Sequence, residues 1–268
     1  MKHRLLLLSA VAMLVMTACE KPKMEVYPRC FSVSETTQVF FSPGNLQYDG
    51  TTKKYSFAPT QMTVIGGANR NISDTYGGAI DLFGWGTGNN PMMSSTVGTD
   101  YATFVDWGSK MDEPGWRTLS FEEWNYLIQK RPNANKLYGS CAIVNIMGGK
   151  DFGMVILPDT WDCDTIDVSY SDNFLKHQYD SELWKKMEKA GAVFLPTAGD
   201  RMGNSIASSS VGNEGRYWSS TPITDGCAHY IGFGDFVNEE SDGTLRSHGR
   251  SVRLVKEITS PSQIPAAK

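Results

Sequence analysis

Two stretches carry apolar residues at helical spacing. Phe121, Trp124, Leu127 and Ile128 fall on one face of the run from Arg117 to Pro132. Ser120 stands at the N-cap position with Glu123 three residues on, so the pattern predicts a helix opened by a capping box and stopped by Pro132. In the second stretch Asp180 or Ser181 caps, Leu183, Trp184, Met187 and Ala190 form the apolar side, and Gly191 suits the C′ position. Elsewhere the texture is β. Short apolar runs around Pro43-Gly44 and Asp49-Gly50, between Thr37 and Ala58, predict a hairpin. Cys141 to Pro158 reads as two buried strands around a glycine turn, and Ala192 to Pro196 as another strand. Ile80 to Pro91 is a glycine-punctuated loop turning around Phe83 and Trp85.

The segment from Glu214 to Lys256 has decisive ends and a mixed centre. It opens on Tyr217-Trp218-Ser219-Ser220 and closes on Val252, Leu254 and Val255 around Arg253. Between them Ile231 and Phe233 alternate with Tyr230, Gly232 and Gly234, which sends the first pair toward a core and the other three away from it. No repeat, low-complexity run or linker interrupts residues 36–256. A single α+β domain over that span is the economical reading, with a tether at 19–35 and a tail at 257–268.

The N-terminus changes the picture. Lys2 and Arg4 precede the apolar run Leu5–Val15, which is short of the roughly 20 residues a bilayer span needs. It ends in Met16-Thr17-Ala18-Cys19, which resembles a bacterial lipobox. That resemblance implies removal of residues 1–18 and acylation of Cys19. It places the chain in the bacterial cell envelope as an outer-membrane lipoprotein, touching the membrane through its lipid anchor only. The other reading is a plain secretory leader with an incidental cysteine. The formal net charge is −4, and loss of residues 1–18 removes two basic residues and no acid. An acidic chain has no electrostatic footprint for nucleic acid.

Reactive constellations are scarce. Beyond Cys19 the cysteines are Cys30, Cys141, Cys163 and Cys227, with no CxxC and no zinc spacing. Export permits disulfides but the sequence selects no pairing, and lone buried thiols are an equal reading. His177, His229 and His248 form no HExxH motif, and His229 shares the Ile231 side of its strand. Asp162, Asp164, Asp167 and Asp172 cluster, but Ile166 and Asp167 stand where a calcium loop needs a ligand and a glycine, so the cluster reads as a solvated acidic loop. Phosphate-loop, nucleophile-elbow and dinucleotide fingerprints are absent from the sequence. The reading expects no catalytic residue, no metal and no cofactor.

Four landmarks occur in order: Pro114-Gly115-Trp116-Arg117-Thr118-Leu119-Ser120 leading into Glu123-Trp124, then Phe194-Leu195-Pro196-Thr197-Ala198-Gly199, then Gly215-Arg216-Tyr217-Trp218-Ser219-Ser220-Thr221, then Gly249-Arg250-Ser251-Val252-Arg253-Leu254-Val255. Together they resemble the Fibrobacter succinogenes major paralogous domain family of Bacteroidetes lipoproteins, which have a C-type-lectin fold and are distant relatives of formylglycine-generating enzymes. The resemblance implies an α+β, C-type-lectin-like fold, two helices packed on small twisted antiparallel sheets with much irregular loop. It assigns structural roles to Trp116, Trp124, Trp218, Ser219 and Arg253. It makes the stretch from about 225 to 248 a displayed face, with Asp225, Cys227, Tyr230, Gly232, Gly234, Asp235, Asn238, Ser241, Asp242, Arg246 and His248 meeting a protein or glycan ligand. The first alternative is a structural or adhesive component packing through the same face, and the second is an atypical enzyme of the formylglycine-generating type. The copper-binding cysteine pair of the enzymatic relatives is missing, since only Cys227 lies in that region, and the sugar-binding tripeptides of calcium-dependent lectins are absent. The fixed–mixed–fixed layout also resembles the variable proteins of diversity-generating retroelements. Adenine substitution in the Asn codon AAC reaches Asp, Gly, Cys, His, Tyr, Ser, Ile and Phe, a set that describes Asp225, Gly226, Cys227, His229, Tyr230, Gly232, Gly234, Asp235, Ser241 and Asp242, but it does not reach Glu239 or Glu240.

Overall fold

The structure is a computed structural model that describes residues 26–162, 166, 168, 173–206, 211–234 and 243–264. The leader, Cys19, Cys163, Asp164, Asp167, Asp172, Asp235, Asn238, Ser241 and Asp242 lie outside the described residues. The fold is mixed α+β, dominated by small antiparallel sheets. Among the described residues these sheets have three or four strands each, and no helix is long and apolar enough to cross a membrane.

The first helix, Phe121–Asn125, opens as its sequence predicts. The Glu123 amide donates to the Ser120 hydroxyl at 3.2 Å, and the Ser120 amide donates to the Glu123 carboxylate at 2.8 Å. The chain then widens into a π-turn, Tyr126–Lys130, and leaves the helix at Arg131, one residue before Pro132. Trp124, Leu127 and Ile128 are buried, whereas Phe121 is half-buried. The second helix, Ser181–Lys189, is capped by Asp180, whose carboxylate accepts from the Leu183 amide. Gly191 follows in the left-handed region at φ +105°, where a Cβ is strained. Ala190 is exposed, because it is the C-cap residue where the helical face ends.

The predicted hairpin between Thr37 and Ala58 is only half right. Leu46–Asp49 does pair with Lys54–Phe57 across the Asp49-Gly50 turn. Pro43-Gly44 instead turns the chain out of one sheet and into another. Gln38–Phe41 pairs with Val255–Ile258 on one edge and Phe31–Ser32 on the other. All four of its residues are buried, so both edges need ladder partners, and a single local hairpin supplies one. The built structure also reaches past the expected limits of the domain: Cys30, Phe31 and Val33 are buried within the expected tether, and the last strand runs to Ile258.

The hairpin of Glu214–Thr224 with Cys227–Gly234 lies between two apolar clusters. Tyr217, Ile231 and Phe233 join Trp124 and Leu127 on one side. Trp218 and Ala228 join Phe83, Trp85, Trp107, Trp116, Val252 and Leu254 on the other, with Tyr230 packed against that cluster. Ile231 and Phe233 therefore face a core as the alternation implies. Tyr230 does too, because the sheet is covered on both faces rather than one. A third cluster binds the second helix, through Trp184 and Met187, to Phe194 and Cys141.

Candidate recognition site

The outer end of the C-terminal hairpin is its exposed part. Thr224 pairs with Cys227 across Asp225-Gly226, and Gly226 sits at φ +86°. Pro222, Ile223, Thr224 and Asp225 are exposed, and Cys227 is half-buried with a free thiol. Thr244–Leu245 adds a short third strand against Cys227 and Ala228, with Leu245 41% exposed. The tip thus displays Ile223, Thr224, Asp225 and Leu245 together with part of Cys227.

Arg246 holds this tip from beneath. The residue is 6% exposed, and its guanidinium lies over the Trp85 ring, 4.3 Å from the centroid. Nε donates to the Cys227 carbonyl at 3.1 Å and Nη2 to the Thr224 carbonyl at 2.9 Å. Nη1 donates to the carbonyls of Tyr101 and Ala102 at 3.3 and 3.4 Å. Its own amide donates to the Gly226 carbonyl at 2.7 Å. Both arms of the turn are thereby tied to the neighbouring loop that carries Gly98–Tyr101. Expected on the displayed face, Arg246 is instead interior. Its planar fork of donors fits a set of main-chain carbonyls presented from several directions.

His248 and Tyr230 belong to a second constellation around Asp200. The Asp200 carboxylate takes the Arg216 Nη1 donor at 2.6 Å, contacts His248 Nδ1 at 3.0 Å and lies 3.5 Å from Arg250 Nη2. Burial alone pushes the Asp200 carboxyl up. The His248 hydrogen bond and the charges of Arg250, His248 and Arg216 outweigh it and hold the group below the ordinary carboxylate range. Arg250 is 1% exposed and its guanidinium carbon sits 3.4 Å from the Tyr230 ring centroid and 5.0 Å from that of Trp218. This stacking gives the buried cation aromatic faces in place of water. Gly234 is buried at φ +151°, and Gly232 lies beside the Tyr230 ring. Of the described residues expected on the face, Asp225 and Cys227 reach the tip, while Tyr230, Gly232, Gly234, Arg246 and His248 lie below it or inward.

The residues expected to be structural are all buried. The Trp218 indole donates to the Phe83 carbonyl at 2.7 Å, and the Ser219 hydroxyl donates to the His229 carbonyl at 2.9 Å. Trp116 meets Phe40 and Phe57 edge-on. Arg253 donates to the Gln61 side-chain oxygen at 2.6 Å, and burial pulls its pKa down to about 10. His229 stacks on Phe121 with centroids 4.2 Å apart. Among the described residues the cysteines are free, and no group of three or more His, Cys, Asp or Glu gathers to hold a metal.

Sequence reasoning missed Ile223, Thr224 and Leu245 at the tip and Asp200, Arg216 and Arg250 below it. Pro222 followed by Ile-Thr-Asp-Gly was the available signal, a proline-led approach to a tight turn that reads as a hairpin end. No protein-family model, no curated protein and no solved structure matches the chain.

Proposed function

We propose that this chain is an exported, lipid-anchored binding protein of the bacterial envelope, built on a C-type-lectin-like domain that presents the tip of its C-terminal hairpin to a partner. The observation that carries the reading is the Arg246 clamp. A buried guanidinium spending its donors on Thr224, Cys227, Tyr101 and Ala102 fixes a turn whose side chains face water. Fixing a displayed surface in advance lowers the ordering cost of binding. Two capped helices, small antiparallel sheets and long irregular connections support the lectin-like architecture. Acylated Cys19 holds the domain at the membrane. Ile223 and Leu245 are 37% and 41% exposed beside Asp225, a mixture that suits a protein surface better than a glycan.

Capture from envelope extracts by the immobilised protein tests this. Ile223→Asp with Asp225→Arg is expected to abolish the captured band while leaving the melting temperature within a degree or so, since surface changes are usually worth about 0.5 kcal/mol or less. Capture that survives both changes sinks the tip as the site. A stable oligomer that buries Ile223 and Leu245 would transfer the reading to a structural or adhesive component. Copper uptake with thiol-dependent oxygen consumption would revive an enzyme.

A further inference from the structure

A second surface gathers charge without neutralising it. The hairpin of Leu46–Asp49 and Lys54–Phe57 forms one wall of a cleft of about 360 Å³, and the loop at Gly88–Pro91 with the end of the 3₁₀ turn Trp107–Lys110 forms the other. Lys53, Lys54 and Lys110 line it with Asp112, Asn89 and the cross-strand pair Tyr48 and Tyr55. None of the three lysines makes an ion pair among the described residues. Lys53 and Lys54 are neighbours on the hairpin and Lys110 comes from a separate part of the chain, and the two groups meet across one opening, in a protein whose acids outnumber its bases. Three lysines stand against Asp112 in the lining and Asp49 opposite Lys54 in the strand register, which leaves the cleft locally positive on an acidic molecule.

The walls are held in place. Lys53 sits at φ +54°, in a turn where the Asp49 carboxylate accepts from the Thr52 amide at 2.7 Å and the Thr52 hydroxyl at 2.9 Å. The Tyr55 hydroxyl donates to the Gly88 carbonyl at 3.2 Å, which ties the hairpin to the opposite loop. Tyr48 and Tyr55 lie 4.9 Å apart at 58°, so they form no parallel slot for a flat aromatic base. Tyr48 is half-buried and leaves part of its ring to the cleft.

We infer that this cleft binds a carboxylate-bearing sugar unit, of the uronic-acid class, separately from the hairpin tip. The lysine ammonium groups are point charges suited to one carboxylate. The apolar face of a pyranose ring rests on Tyr48 as on other tyrosine-lined polar sites. Asn89 and the Asp112 carboxylate accept from sugar hydroxyls. That last group argues against a phosphate ligand, because a carboxylate repels a dianion while it accepts well from hydroxyls.

Calorimetric titration of the purified full-length chain with trigalacturonate, galactotriose and inorganic phosphate tests the inference. Trigalacturonate is expected to bind, galactotriose to bind at least about tenfold more weakly for want of a charge-assisted contact, and phosphate not to compete. Binding is expected to weaken as salt rises from about 0.05 to 0.5 M, because the cleft is open to screening. Lys54→Ala with Lys110→Ala is expected to remove binding with the melting temperature unchanged, and Ile223→Asp to leave it intact. Equal binding of the two trisaccharides, equal binding of phosphate, or no effect of the lysine changes overturns it. Loss of binding in the Ile223→Asp protein overturns the separateness of the two sites without touching capture by the tip.

Discussion

The guanidinium carbon of Arg246 stands 4.3 Å from the centre of the Trp85 ring, and the same group reaches both strands of the hairpin tip. A lysine in its place keeps the charge but loses the planar stack and most of the four carbonyl contacts. Arg246→Lys is expected to cost about 2–4 kcal/mol, the sum of several charge-assisted bonds partly replaced by one. It is also expected to speed amide exchange selectively at Asp225 to Cys227. Unchanged exchange there in a destabilised protein would reduce Arg246 to a general core residue and remove the main support for a pre-formed tip.

Two substitutions separate local from global contributions. Ser120→Ala removes the acceptor for the Glu123 amide and is expected to cost about 1 kcal/mol. Trp218→Ala opens a cavity in the aromatic cluster and frees the Phe83 carbonyl, for a loss of about 3–5 kcal/mol. Denaturant midpoints read both. A Trp218→Ala protein of unaltered midpoint that captures no partner would move Trp218 from the core to the binding site.

The contrast between these positions shows what the sequence carries. The capping box was legible because Ser120 and Glu123 are three residues apart and their partners are each other. Arg246 was not, because its partners include the Tyr101 carbonyl 145 positions away, and nothing near Arg246 announces buried acceptors. Pro43-Gly44 misled for a related reason. The dipeptide specifies a turn, but the strands it joins do not pair with each other: Gln38–Phe41 pairs with Val255–Ile258 near the other end of the chain, and Leu46–Asp49 pairs with Lys54–Phe57 and Ala79–Ile80. Tyr230 was misplaced because alternation tells the two faces of a strand apart without telling whether the second face is covered.

Asp81 gives the fold a pH dependence with a definite sign. Its carboxylate accepts from the Ile65 amide and the Asn69 side chain, both at 2.7 Å, and is fully buried. Burial pushes its pKa from 3.8 up to about 6, against the lowering effect of those hydrogen bonds. The folded state therefore holds this proton more tightly than the unfolded state. The stability linked to it is complete below about pH 4 and is lost as pH rises through about 6, by about 3 kcal/mol at most. Asp81→Asn is expected to remove that descending component from a plot of unfolding free energy against pH. A variant that tracks the parent across pH 4–7 contradicts the assignment.

The proposed anchor is tested apart from the fold. Cys19→Ala is expected to move the protein from the membrane fraction to the soluble fraction and to abolish metabolic palmitate labelling, because acyl chains contribute about 0.8 kcal/mol per buried CH₂. Labelling that persists in the variant removes the lipobox reading.

If the C-terminal segment is rewritten by a retroelement, the structure limits which positions tolerate it. Asp225 projects into water and accepts other side chains, whereas His229 is half-buried and stacks on Phe121, so a change there removes a ring contact. Gly226 lies at φ +86° with an added Cβ only 3.3 Å from Gly98 and Thr99 backbone, and Gly234 lies at φ +151° where a Cβ falls 2.4 Å from the Asn213 carbonyl oxygen. Both are backbone contacts, so no side chain can swing aside. Gly226→Ala is expected to cost at least about 1 kcal/mol and Gly234→Ala more, read as shifts in denaturant midpoint. A diversified gene therefore has a near-copy of its 217–255 coding segment beside a reverse transcriptase, differing at adenines under Asp225 and Cys227. The same near-copy carries adenine-free glycine codons at 226 and 234. A template with adenines at those two codons would predict a large unfolded fraction among its products, and comparing expressed variants with the template decides between a tuned scaffold and ordinary loop composition.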